Sequence, residues 1–130
     1  MRIISMKKDE KLFASTNCTS VKYYVGVQEG KVVGTTGIYT QKSDENDSAW
    51  IAWYCVDLLN RGKGYGSKLL NFTIDFAKKM GKKFLKLYTS YNSDIRKAMV
   101  LYEKRGFVIV KKEFHPDTKD EMIYMTLKLK

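Results

Sequence analysis

Val56-Asp-Leu-Leu-Asn-Arg-Gly-Lys-Gly-Tyr-Gly-Ser-Lys-Leu-Leu70 is the stretch whose reading decides the fold. An apolar, strand-like run, Ala49 to Val56, leads into it, and a helical pattern follows at once. Between them lie Arg61, Gly62, Gly64 and Gly66. Strand, glycine loop and helix start, in that order, make a phosphate site. Glycines let a ligand approach the backbone closely. The first helical N–H groups have no partner within the helix, and the dipole favours an anion there. The expected ligand is a phosphate-bearing cofactor.

Working outward, Ser67 to Met80 has helical spacing. Leu70, Ile74 and Ala77 fall on one face, Leu69, Phe76 and Met80 beside it, and Gly81 stands at the stop. Lys83 to Ser90 reads as a strand. A second helix spans Asp94 to Lys104, with Ser93 as its cap and Gly106 at its end. Phe107 to Glu113 and Met122 to Leu129 are two further strands, with a turn at His115-Pro116-Asp117. Upstream, Val21, Tyr23, Val25 and Val27 alternate with other residues as in a strand. Glu29-Gly30 makes a tight turn into Lys31 to Thr40, the returning strand of a hairpin. Arg2 to Ser5 is a short first strand, Lys7 to Ser20 has no clear period, and Gln41 to Ser48 is a polar loop. Ala49 to Val56 is apolar on both faces, as a central strand would be.

The chain has 130 residues, enough for one domain with one core. Its 29% charged and 44% hydrophobic residues are a globular balance, which excludes disorder. No run is long enough to span a bilayer, and Met1 to Phe13 lacks a signal-peptide core. Cys18 and Cys55 are too few for a disulfide scaffold, so a reduced, cytoplasmic setting is expected, with Cys55 in a buried strand. The net charge of +10 fits a nucleic-acid partner, a polyanionic small ligand or a merely soluble basic surface. The lysines are dispersed in pairs rather than gathered, which weakens the nucleic-acid reading.

Two motifs then stand at a telling distance. Arg61-Gly-Lys-Gly-Tyr-Gly66 resembles the Arg/Gln-x-x-Gly-x-Gly/Ala motif of the GNAT superfamily of N-acetyltransferases. Ala98-Met-Val-Leu-Tyr-Glu-Lys-Arg-Gly-Phe107 is similar to its Ala-x-x-Leu-Tyr-x-x-x-Gly-Phe segment, and Glu29 to Gly34 to its hairpin. The resemblance covers roughly residues 21 to 129. It implies one α/β domain over residues 1–130, a mixed, mostly antiparallel twisted sheet of about six to seven strands with flanking helices. The N-terminal helical region is shortened, because only Lys7 to Ser20 stands where the family has two helices.

The resemblance further implies acetyl-CoA as donor co-substrate, an amine acceptor and no metal. Gly62 to Gly66, including Tyr65, with Ser67 at the helix start, would hold the pyrophosphate, and Arg61, Lys63 and Lys68 would add charge-assisted bonds. Cys55, Val56 and Asp57 would meet the pantetheine arm, with an N–H near Cys55 or Val56 polarising the carbonyl. Asn92 stands near the second motif, whose usual asparagine is here replaced by Ile95. Tyr102 occupies the family's acid position, to protonate the leaving sulfur. No base is identifiable: Asp44, Glu45 and Asp47 could attract an ammonium, or form a solvated loop. Trp50 and Trp53 either border the acceptor or pack in the core. The function expected is acetyl transfer to a small-molecule primary amine. The alternatives are a protein lysine or N-terminus as acceptor, a non-catalytic CoA sensor, or a basic nucleic-acid binder. Neither a membrane nor nucleic acid is expected as partner, and a homodimer through the C-terminal strands fits the family.

Overall fold

A computed structural model describes residues 1–6, 17–90, 95–114, 116–117 and 120–130. In chain order the elements are β1 (Arg2–Met6), β2 (Cys18–Gln28), β3 (Lys31–Gln41), β4 (Ser48–Val56), α1 (Tyr65–Lys79), β5 (Phe84–Ser90), α2 (Ile95–Lys104), β6 (Val108–Phe114) and β7 (Glu121–Lys128). The strands form one sheet in the order β1-β2-β3-β4-β5-β7-β6. All neighbours are antiparallel except β4 and β5. That parallel step follows from α1, which carries the chain from the end of β4 back to the start of β5.

The hairpin joining β2 to β3 is set by its turn. Gln28 pairs with Lys31, and both residues between them are left-handed, Glu29 at φ 52° and Gly30 at φ 76°. A two-residue turn of this kind has the twist of the flanking strands. β2 begins at Cys18, so the end of the Lys7 to Ser20 stretch is strand. The remainder, residues 7–16, lies outside the described residues, as do Asn92, the cap Ser93 and His115.

Alternation divides the sheet into two faces. On one face Ile38, Ala49, Ile51, Leu87, Ile123 and Met125 form a core with Leu70, Ile74 and Ala77 of α1 and with Met99 and Tyr102 of α2. Both helices therefore cover the same face. On the other, Val21, Tyr23 and Tyr39 form a smaller cluster that Trp50 packs against. Polar groups inside the main core are paired. The Thr73 hydroxyl donates to the Leu69 carbonyl at 2.8 Å. Its proton is thus spent, so Thr36 is the donor in the 2.6 Å Thr36–Thr73 bond.

Candidate active site

β4 is bulged. Thr35 of β3 faces Cys55, while Gly37 faces Ala52, so β4 carries one residue too many between them. Trp53 takes it up at φ 54°, a strained angle for a bulky side chain, and the Thr35 hydroxyl donates to its carbonyl at 2.6 Å. A bulge bends the strand that bears it. β4 pairs with β5 only at Ser48–Phe84, Ala49–Leu85 and Trp50–Lys86, and beyond Trp50 the two strands part. The gap is a cleft of about 620 Å³, bounded by the second half of β4, the glycine loop, the start of α1, β5 and α2.

The loop after β4 is braced from within. The Asp57 N–H donates to the Val33 carbonyl at 2.8 Å and its C=O accepts from the Asn60 N–H at 2.9 Å. Its carboxylate accepts from the Asn60 amide at 2.8 Å. Val33–Asp57 is therefore a hydrogen-bonded pair, and in an antiparallel ladder such pairs alternate. Cys55 then turns its backbone groups toward β3, and Val56 turns its own toward the cleft, where the Arg61 Nε donates to the Val56 carbonyl at 3.3 Å. Of the three residues expected along the pantetheine arm, Val56 alone aims its backbone at the gap. Cys55 is exposed rather than buried, and its free thiol lines the cleft. The parting of the strands uncovered it.

The helix starts earlier than Ser67. Gly64 is the N-cap, at φ 82°, and Tyr65 is the first helical residue. No side chain caps this end and its first turn holds no acidic residue. The first intrahelical bond runs from the Lys68 N–H to the Gly64 carbonyl, at 3.2 Å. The N–H groups of Tyr65, Gly66 and Ser67 thus lack helical partners at the mouth of the cleft. Arg61, Gly62, Gly64, Tyr65, Gly66, Ser67, Cys55, Val56 and Tyr102 all line it. Asp57, Lys63 and Lys68 stand outside its wall, Lys63 with its ammonium 3.5 Å from the Asn60 side-chain oxygen.

Gly66 has a different reason from the other two glycines of the motif, Gly62 and Gly64, whose left-handed φ is what glycine serves. A Cβ there would sit 2.9 Å from the Tyr54 hydroxyl, which donates to the Gly66 carbonyl at 2.6 Å. The third glycine of the motif makes room for a phenol. Gly66→Ala should cost about 1–2 kcal/mol through this overlap. In a Tyr54→Phe background the cost should shrink, a coupling that a double-mutant cycle of urea unfolding reads directly. Additive costs would show that the clash lies elsewhere.

Tyr54 itself escaped the sequence reading, as did Lys97 and Leu101 of α2, which also line the cleft. Helical spacing was a usable signal for the last two, since 97/101 and 98/102 are each one turn apart. The Tyr54 and Tyr102 rings lie 5.8 Å apart, and Tyr102 packs on Phe107 at 5.7 Å. Tyr102 is 6% exposed. Burial, with Tyr54 beside it, raises the Tyr102 phenol well above its usual value. Burial also pushes Tyr54 up to about 12, against an opposing pull from Arg105. Both groups are neutral through the physiological range.

A phenol held neutral by burial ties stability to pH. The folded-state value exceeds the reference of about 10, so the unfolded chain releases the proton first. The Tyr54 contribution is whole below pH 10 and is lost as pH climbs through about 12. Urea midpoints should hold steady from about pH 8 to 9.5 and then fall, and less steeply in Tyr54→Phe. Identical slopes in the two proteins would remove Tyr54 as a cause.

The acidic loop is engaged at the far end of β4. The Trp50 indole N–H donates to Asp44 at 3.0 Å and the Lys86 ammonium lies 3.2 Å from the same oxygen. The Ser48 hydroxyl donates to Asp47 at 2.7 Å, and the Lys82 ammonium donates to the Glu45 carbonyl. Trp53 is not core: it is 66% exposed and lines the cleft. Among the described residues no cluster of His, Cys, Asp and Glu could hold a metal ion, and no helix is long and apolar enough to cross a membrane.

This architecture recurs in solved structures. The ribosomal-protein-S18-alanine N-acetyltransferase of Escherichia coli superposes with a TM-score of 0.78, at 23% identity, over 98% of this chain and 93% of that one. A GNAT family acetyltransferase from Elizabethkingia anophelis, solved with acetyl-CoA bound, gives 0.77 at 19% identity, over 98% and 97%. In sequence, the chain is 33% identical over 85 residues to the uncharacterized N-acetyltransferase YjgM of Escherichia coli K12. That match takes in 65% of this chain and spans half the length of YjgM. The model of the acetyltransferase (GNAT) family matches residues 4–107, and the chain with its split sheet and uncapped helix belongs to that family.

Proposed function

We propose that this chain moves an acetyl group from acetyl-CoA directly to the primary amine of a small molecule, with residues 1–130 acting as one catalytic unit. The observation that carries the reading is the gap between β4 and β5, which ends at an uncapped helix terminus. An extended arm fits the gap as a strand would, hydrogen-bonding to Val56. A pyrophosphate fits the loop from Gly62 to Ser67, with Arg61 beside it. Acetyl-CoA supplies an activated thioester: the C–N bond forms, the C–S bond breaks and the sulfur leaves as thiolate.

The residues of the chain then handle protons. Tyr102 points a neutral phenol into the cleft. Its raised pKa makes it a weaker acid than a coenzyme thiol, which has a reference value of about 8.5 by analogy with cysteine. Its part is to donate a hydrogen bond to the departing sulfur, and the proton that neutralises the thiolate is the one the amine sheds. Among the described residues the cleft wall holds no carboxylate and no histidine; in this reading water deprotonates the amine before attack. The test is to mix the purified chain with acetyl-CoA and a panel of amines and follow free thiol. CoA binding without thiol release from any amine would leave a sensor; no binding at all would sink the reading.

A protein amine is the second acceptor reading, supported by the likeness in fold to an enzyme named for a ribosomal-protein alanine. Acetylated peptide in place of acetylated small amine would decide for it. Two free cysteines, one exposed, support a reducing compartment such as the cytoplasm. Pairing of two copies has support in β6, an edge strand whose Val108, Val110 and Phe114 are exposed.

A further inference from the structure

The face of the sheet turned away from the helices carries a row of rings. Tyr39, Trp50, Tyr88 and Tyr124 alternate with core residues of β3, β4, β5 and β7 and so point to that side. The row is continuous. Tyr39 and Trp50 stack with centroids 6.2 Å apart, Trp50 and Tyr88 meet edge-on at 6.3 Å, and Tyr88 lies 5.7 Å from Tyr124. It crosses from β4 to β5 just where the two strands begin to part, since Trp50–Lys86 is their last pair. Tyr88 belongs both to the row and to the wall of the cleft, and it is 51% exposed. At Tyr88 the cleft therefore opens onto the ring-bearing face.

The opposite face offers no such approach, because α1, α2 and their core fill it. Two rings of the row, Trp50 and Tyr124, are also already served by cations. The Lys86 ammonium sits 5.6 Å from the Trp50 ring and the Lys111 ammonium 5.3 Å from the Tyr124 ring. Each is paired with a carboxylate, Asp44 and Glu113. A polycation gains little over rings that already hold an ammonium, whereas a flat neutral body gains stacking area.

We propose that this row is the platform for the acceptor, and that the acceptor is an arylalkylamine: its ring lies against Tyr88 and Tyr124 and its primary amine reaches into the split beside Trp50. The inference rests on the acetyl-transfer reading and names the substrate class of that same site.

The experiment is a steady-state comparison on the full chain. Phenethylamine and tryptamine are set against alkylamines of similar basicity, spermidine and glucosamine, with CoA binding measured by calorimetry alongside. The arylalkylamines should lead in kcat/KM by about tenfold or more. Tyr88→Ala and Tyr124→Ala should each raise the acceptor KM about five- to tenfold for arylalkylamines only; the acetyl-CoA KM should be unmoved in Tyr124→Ala, whose ring lies off the cleft wall, and Tyr124→Phe keeps the wild-type value. Equal or better turnover of the aliphatic, polyamine or sugar acceptors overturns the proposal, and so does an equal loss on all acceptors in Tyr124→Ala. Failure of the chain to bind CoA overturns the acetyl-transfer reading itself, which calorimetry separates from a failed aromatic preference.

Discussion

Gly64→Asp should remove measurable CoA binding while leaving the protein folded. Two local effects nearly offset each other in stability. An aspartate at φ 82° is strained by about 1–2 kcal/mol. The same carboxylate sits at the N-cap of a helix that has no side-chain cap, where such a group stabilises by about 0.5–2 kcal/mol. Binding has no such offset. A carboxylate about 4 Å from a phosphate charge repels it by about 4 kcal/mol at an effective dielectric of about 20, close to a thousandfold in Kd. Gly64→Ala adds the strain without the charge and should lose about tenfold at most. Calorimetry with CoA checks both. A Gly64→Asp Kd within tenfold of wild type would mean that the phosphate lies elsewhere.

Tyr102→Phe should lower kcat about a hundredfold, the scale of losing one hydrogen-bond donor to charge that develops as the sulfur leaves, and leave the CoA Kd nearly unchanged. The substitution removes one oxygen from a buried ring and keeps its packing on Tyr54 and Phe107. Loss of kcat without loss of binding is the mark of an interaction made only as sulfur departs. Single-turnover thiol release is the measurement. A kcat within threefold of wild type would move the role to water or to Tyr54.

What the sequence disclosed was local, and what it withheld was tertiary. The hairpin was legible because alternation from Val21 to Val27 and a Glu29-Gly30 turn each act within a few residues. The helix faces and the stop at Gly81 were legible for the same reason. The bulge at Trp53 was not, since no residue type advertises a bulky side chain at positive φ. The parting of β4 from β5 depends on that bulge, so the exposure of Cys55 and Trp53 stayed hidden too. An apolar run reads as a central strand even when half of it is a cleft wall. Lys63, Lys68 and Asp57 stand beside the motif in sequence yet outside the cleft wall, a distinction that spacing along the chain does not carry. Tyr54 explains Gly66 only once the two are seen 12 positions apart in sequence and 2.6 Å apart in space.

Among the described residues, the parted strands also give the molecule two inner rims of backbone without a strand partner, besides the outer rims at β1 and β6. Such rims are templates for stray chain segments. On the proposed reading, the donor zips them shut as a surrogate strand, and at about a hundred times its Kd that closure adds about 2.7 kcal/mol to the folded state. The metabolic supply of coenzyme A would then act as a chaperone for this protein, setting its resistance to aggregation and proteolysis as well as its rate.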